Sequence, residues 1–208
     1  VAIYVDDLIV ATNNKIIWKE IKQEFAKSFE MKDLGQLNFC LGIEFKQDPN
    51  TKEITMSQRK YIKNILTKFN MENCKPVTTP LNPTIKLSKE MSPKTESEIA
   101  EAESLPYQNL VGSLMYLAVS TRPDISHAIS VLSQYNTNYG KEHCIAAKRV
   151  LRYLKGTENY GLHYKLSEDE LTGFADADWG ANIDDRRSYT GYIFKLSDAA
   201  ISWDSRKQ

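Results

Sequence analysis

Three apolar stripes at helical spacing fill residues 107–155, and runs of strand type stand on both sides of them. Helices and strands bury their apolar residues with different periods, 3.6 and 2, so neither an all-helical nor an all-strand fold can satisfy both patterns. The arrangement predicts an α+β fold. The expected helices are 107–119, 123–135 and 141–155, with Pro123 suited to a first turn and Gly140 to a break between helices. Ala147, Val150, Leu151 and Leu154 form the stripe of the last.

On the N-terminal side, Val1–Val5 and Leu8–Thr12 read as short strands joined by a tight turn at Asp6–Asp7. A helix is expected from Asn14 to about Phe29, because Ile17, Ile21, Phe25 and Phe29 recur every four residues; Gly35 closes that unit. Two extended runs follow around a turn at Asp48–Thr51, then a helix with Ser57 as N-cap and a stripe of Tyr61, Ile62, Ile65, Leu66 and Phe69. Residues 74–104 lose all periodicity. They carry Pro76, Pro80, Pro83 and Pro93, and their five glutamates from Glu90 to Glu103 predict a solvated, partly disordered linker. After Gly156 the runs turn to strands at 161–166, 171–177, 188–196 and 199–203, with a domain boundary expected near 156–166.

Composition excludes some functions. Basic and acidic residues balance at 27 each, so a nucleic-acid partner must be met by local patches. Three cysteines without C-x-x-C spacing argue against a disulfide scaffold or zinc knuckle and fit a reducing compartment. No apolar run reaches membrane-span length and no secretory signal is present, so the expectation is an intracellular chain without a membrane partner. The strand already under way at Val1, and a last strand followed at once by Gln208, suggest a chain cut from a longer one.

Two acidic stretches carry the candidate chemistry. Adjacent side chains on a strand point to opposite faces, so the carboxylates of Asp6 and Asp7 can converge only at a turn. Two negative charges there either face water or hold a hard cation such as Mg²⁺, and the tetrapeptide alone leaves both open. Further on, Phe174, Asp176 and Asp178 alternate with alanines and share one strand face. A calcium loop at Asp178–Asp185 is rejected for want of EF-hand ligand spacing and a closing glutamate. Asp185 is expected to pair with Arg186 or Arg187 or to face solvent, and Trp179 to be a packing residue. Lys148, Arg152 and Lys155 fall at i, i+4 and i+7, a row that is either a solvated surface or a phosphate contact.

"YVDDLIVAT", "FCLGIEF", "CKPVTTPL", "LVGSLMYLAVSTRPDI", "AAKRVLRYLKGT" and "FADADWGANIDDRRSYTGYIF" occur in the order seen in copia-type (Pseudoviridae-like) retrotransposon Pol polyproteins, and the chain resembles them from end to end. The resemblance implies the C-terminal part of a reverse transcriptase followed by the start of ribonuclease H. Palm and primer-grip hairpins would take residues 1–73, the linker 74–105, a helical thumb and connection 106–157, and the ribonuclease H-like strands 158–208. By resemblance Asp6 coordinates the catalytic metals and Asp7 assists, while Tyr4 and Val5 pack beneath the primer terminus. Leu41 and Gly42 belong to the primer grip, where Gly42 admits the primer backbone; a β-bulge is the alternative. Asp176 is the first ribonuclease H metal ligand, and Lys148, Arg152 and Lys155 would meet a hybrid passing between the sites. Arg122 and Asp124 of "STRPDI" would form a structural ion pair, and Cys144 replaces the family's usual tryptophan as a buried residue.

The cofactor implied is Mg²⁺ (or Mn²⁺) in the intact parent, with no tight ion expected in this chain alone. The partners implied are an RNA/DNA template-primer and the polymerase and ribonuclease H segments outside this chain. The location implied is a cytoplasmic virus-like particle with a nuclear stage. Ligands expected upstream and downstream make the isolated chain an inactive piece of two sites. The competing expectation is a degenerate or domesticated remnant that binds nucleic acid or protein without catalysis.

Overall fold

Two units divide the chain in the computed structural model, residues 1–38 and 39–208, which describes residues 1–167 and 170–208. In the first unit β1 (Ala2–Tyr4) pairs antiparallel with β2 (Asp7–Ile9). Tyr4 lies opposite Asp7, so the two turn residues are Val5 and Asp6, one position earlier than the pattern suggests. Helix α1 (Lys15–Ser28) follows. The Asn14 side chain caps it by accepting from the backbone N–H groups of Ile16 at 2.9 Å and Ile17 at 3.2 Å. Lys22 reaches Asp33 at 2.5 Å, and that hydrogen-bonded cation holds the carboxyl below its ordinary range.

The second unit is built on two antiparallel sheets and a helical core. The first sheet runs β3 (Phe39–Cys40), β4 (Ile43–Gln47), β5 (Ile54–Ser57) and β6 (Gly161–Tyr164). Met56 stands opposite Leu162, so the strand expected to open the C-terminal segment instead closes the sheet of residues 39–57. Gly161 fits because any Cβ there would come within 2.4 Å of the Met56 carbonyl oxygen. The second sheet orders β7 (Thr172–Ala177), β8 (Tyr189–Leu196) and β9 (Ala199–Lys207).

Helix α2 (Arg59–Lys68) begins after Gln58, and Ser57 is the last residue of β5, not the cap. The capping acceptor comes from another strand: Glu44 takes the Lys60 N–H at 3.0 Å, placing a carboxylate at the positive end of the helix. Its expected stripe is correct, with Ile62, Ile65 and Leu66 buried and Tyr61 and Phe69 packed at the edge. Helices α4 (Tyr107–Ser120), α5 (Ser126–Ser133) and α6 (Lys141–Gly156) complete this core around Leu114, Leu117, Ile129 and Leu151. Pro123 starts a 3-10 turn, Pro123–Ile125, that leads into α5. Cys144 is buried there, and burial pushes its thiol up to about 11, which leaves it an inert packing residue.

The stretch expected to be a linker is an ordered strap. Helix α3 (Glu96–Glu103) forms on a capping box, in which Thr95 accepts from the Glu98 N–H and Glu98 accepts from the Thr95 N–H. Upstream, Arg152 of α6 donates to the Lys75 carbonyl at 2.8 Å, and Arg149 donates to Thr79 Oγ1 at 2.9 Å. Residues 74–92 thus lie along α6. At Gly140 the approach is so close that a Cβ would meet the Met91 carbonyl oxygen at 2.1 Å.

His143 locks the same strap from inside the core. Its Nδ1 accepts the Gly140 N–H at 2.9 Å, so its Nε2–H donates to the Ser88 carbonyl at 3.1 Å. The ring is neutral and fully buried, and burial lowers its pKa below the ordinary histidine value. The unfolded chain therefore takes up this proton first as pH falls. The contribution of His143 is whole above about pH 6.5 and declines as pH drops through the lower folded value. Urea unfolding at a series of pH values is expected to show wild type losing up to about 1.4 kcal/mol per pH unit in that window relative to His143→Gln. Equal slopes for the two proteins would remove His143 as the source.

Candidate functional site

The acidic hairpin of the first unit has an unusual tip. Val5 adopts φ +50°, at the first central position, where a type II′ turn needs a positive value. A β-branched residue there is an outlier that costs about 1–3 kcal/mol, and such strain clusters at functional sites. Asp6 occupies the second turn position and Asp7 begins β2. Both are exposed, and neither side chain makes a hydrogen bond or ion pair among the described residues. Tyr4 and Val5 are exposed beside them.

The second hairpin turns at Leu41–Gly42, between β3 and β4. Both residues have positive φ, +51° and +74°, the requirement of a type I′ turn, so Gly42 sits in a turn and not in a bulge. A Cβ on Gly42 would meet the Tyr116 ring at an ordinary 3.6 Å, so backbone conformation alone demands glycine here. The Tyr116 hydroxyl donates to the Leu41 carbonyl, which ties the turn to α4.

Asp176 lies on β7 opposite Gly191, and the register carries its face across to Ser205 on β9. That face opens into a cleft of about 740 Å³ whose other wall includes Pro123, Asp124 and His127. Trp203 anchors the sheet by donating its indole N–H to the Ala118 carbonyl at 2.7 Å. Asp176 is exposed and has no side-chain partner among the described residues. Asp178 does not share that freedom. Its two oxygens accept from the backbone N–H groups of Ala181 and Tyr189, each at 3.1 Å, so it closes the β7–β8 loop. Among the described residues, no group of three or more His, Cys, Asp or Glu could hold a metal ion.

The flanking expectations divide. Asp185 pairs chiefly with Lys207 at 2.8 Å, with Arg187 farther at 4.0 Å, and the Lys207 hydrogen bond lowers its pKa. Trp179 packs on nothing: it is 95 % exposed. Of the basic row on α6, Lys148 is exposed, Lys155 is half-buried, and Arg152 already holds the strap. Sequence reasoning passed over Arg149. It lines a second cleft of about 470 Å³ with Lys86 and Arg152 on one side and Asp178, Ala181 and Asn182 on the other. Its position one residue past Lys148 takes it off the counted row, and only the docking of the strap on α6 gives it that place. Among the described residues no helix is long and apolar enough to cross a membrane.

Residues 1–83 match the reverse transcriptase (RNA-dependent DNA polymerase) family. Over 206 residues the chain is 45% identical to the retrovirus-related Pol polyprotein from transposon TNT 1-94 of Nicotiana tabacum, covering 99% of this chain and 16% of that one. It is 41% identical over 207 residues to the Pol polyprotein from transposon RE1 of Arabidopsis thaliana, covering 99% and 14%. The putative transposon Ty5-1 protein of Saccharomyces cerevisiae is 36% identical over 208 residues, with 100% of this chain and 65% of that protein covered. The chain belongs to the copia-type retrotransposon Pol polyprotein family. It spans about a sixth or less of the two plant polyproteins. No solved structure matches it.

Proposed function

We propose that the chain serves reverse transcription within a Pol polyprotein, contributing the Asp6–Asp7 hairpin to RNA-directed DNA synthesis and Asp176 to ribonuclease H cleavage of the hybrid. The observation that carries this reading is the strained hairpin tip, where Val5 at φ +50° presents two adjacent carboxylates with no partner among the described residues. Exposed carboxylates suit Mg²⁺, which typically takes one or two of them together with substrate phosphates. Asp6 and Asp7 would hold the ion at the polymerase site, and Asp176 would hold it at the nuclease site. Bound there, the ion would stabilise the charge that develops in phosphoryl transfer. Leu41 and Gly42 would support the primer, as would Tyr4 and Val5. Residues 106–157 would serve as thumb and connection, and β7–β9 as the opening strands of ribonuclease H.

A second reading, a non-catalytic remnant that binds nucleic acid, draws support from Asp178, whose carboxylate is spent on the backbone and leaves Asp176 alone. The deciding experiment places these 208 residues in the matching segment of the tobacco polyprotein and assays cDNA synthesis and hybrid cleavage with Asp6→Asn and Asp176→Asn.

Both readings need nucleic-acid contact, and the α6 row supplies a separate test. If Lys148, Arg152 and Lys155 neutralise about three phosphates, log affinity for an RNA–DNA hybrid is expected to fall with log salt at a slope of about −3. Replacing all three by glutamine is expected to flatten the slope. An unchanged slope would show that this row meets no phosphate.

A further inference from the structure

Trp179 is a large apolar side chain exposed to solvent on a loop fixed by its own hydrogen bonds. The β7–β8 loop is pinned at both ends by Asp178. The Gly180 N–H donates to Ser188 Oγ at 3.0 Å, and Asn182 Oδ1 accepts from the N–H groups of Asp184 and Asp185 at 2.9 and 3.2 Å. Asn182 itself is buried and donates to Gln134 Oε1 at 3.2 Å, which fastens the loop to α5. Asp184 accepts the Lys89 N–H at 3.0 Å, which fastens it to the strap. Gly180 has φ +58°, and a Cβ there would lie 2.9 Å from the Arg186 carbonyl oxygen, so the loop doubles back tightly beside Trp179. Exposing an indole costs free energy in water, and a rigid loop that exposes one has already given up the entropy a partner would otherwise have to remove.

The surroundings specify the partner's chemistry. Arg186 is exposed and makes no side-chain hydrogen bond or ion pair among the described residues. Trp179 follows directly on Asp178, which lines both the cleft of Asp176 and the cleft of Lys86, Arg149 and Arg152. The Nε of Arg149 is buried with no protein partner among the described residues, so that guanidinium has donor capacity to spare. The acids here are Glu142 and Asp178 of the cleft, the latter already satisfied by two backbone donors, and Asp184 and Asp185 of the loop, which are engaged by the Lys89 N–H and by Lys207. An exposed indole on a loop that also presents an unpaired guanidinium, next in sequence to a residue lining a basic cleft, carries the elements that bind an unpaired base and its phosphates.

We propose that Trp179 is a stacking platform for an unpaired nucleotide, with Arg186 of the same loop and the Lys86–Arg149 cleft that Asp178 lines taking the neighbouring phosphates. The proposal rests on the reading that the chain handles nucleic acid and adds a single-strand path to it. The test is fluorescence anisotropy of a labelled oligothymidylate titrated with the full chain, with an RNA–DNA hybrid as second ligand. Trp179→Ala is expected to weaken oligothymidylate binding by about 5- to 150-fold, and Trp179→Phe to keep most of it. The salt slope is expected to stay the same in Trp179→Ala, which removes no charge, and to shrink by about 0.7 in Arg186→Gln. Thermal melting confirms the fold, since an exposed side chain contributes little to it. Oligothymidylate binding by Trp179→Ala at wild-type strength overturns the platform alone if the hybrid still binds in a salt-dependent way. Absence of binding to either ligand overturns the nucleic-acid reading with it.

Discussion

Arg122→Ala is expected to lower the unfolding free energy by about 3–5 kcal/mol, a large part of the stability of a typical domain. Arg122 is 1 % exposed, and its charge is matched on every side. Nε and Nη2 donate to Asp124 at 2.9 and 2.7 Å, while Nη1 and Nη2 donate to the carbonyl and hydroxyl of Thr157 at 3.1 and 2.6 Å. Tyr153 donates its hydroxyl to the same Asp124 carboxylate at 2.8 Å. Burial pushes that phenol up to about 12, with the Asp124 hydrogen bond adding to the effect. One guanidinium therefore joins the end of α4, the turn before α5 and the end of α6. Alanine would leave a cavity together with the buried Thr157 carbonyl unpaired, and both losses add. Asp124→Asn keeps an acceptor for Arg122 but removes the charge, so a smaller loss of about 1–3 kcal/mol is expected. Urea titrations of the three proteins give the comparison. A loss below about 1 kcal/mol for Arg122→Ala would show that the buried pair holds nothing together.

This ion pair was legible in "STRPDI" because both partners lie two residues apart, within reach of a single turn. The same locality explains what else the sequence revealed. The stripes of α2 and α6 are set by spacing inside each helix, and the structure buries Ile62, Leu66, Val150 and Leu151 as the pattern requires. The misread features depend on distant partners. Glu44 replaces Ser57 in capping α2 from another strand, and β6 pairs with β5 across more than a hundred residues. The strap at 74–92 lacks periodicity because it is held from α6, by Arg152 on the Lys75 carbonyl, His143 on the Ser88 carbonyl and Arg149 on the Thr79 hydroxyl, and not by a regular ladder of its own. At the candidate sites, residue type marked the exposed carboxylates Asp6, Asp7 and Asp176. It could not tell Asp176, which is open, from Asp178, which closes a loop, because both fit the same strand alternation. Trp179 was misplaced for a related reason: aromatic residues are buried on average, and only the loop's internal hydrogen bonds reveal that this one is held outward.

In the tobacco polyprotein carrying this segment, Asp6→Asn is expected to cut cDNA synthesis by at least about a hundredfold, since even residues one step removed from a metal are worth about 10–100-fold. The structure makes the substitution a clean one. Asp6 is exposed at the second position of the β1–β2 turn and makes no side-chain contact with a partner among the described residues, so asparagine is expected to change stability by no more than about 0.5 kcal/mol. A loss of synthesis with unchanged melting would then reflect the missing charge, because the amide keeps the shape of the carboxylate and gives up its anionic hold on a hard cation. The companion Asp176→Asn separates the two chemistries. It lies on β7 in the other unit, so it is expected to leave primer extension intact and to abolish hybrid cleavage, while Asp6→Asn does the reverse. A remnant that only binds nucleic acid predicts neither effect, because removing one acidic charge from either place would weaken no phosphate contact. Wild-type cDNA levels with Asp6→Asn would therefore sink the polymerase role of the hairpin, whatever the chain does with a bound strand.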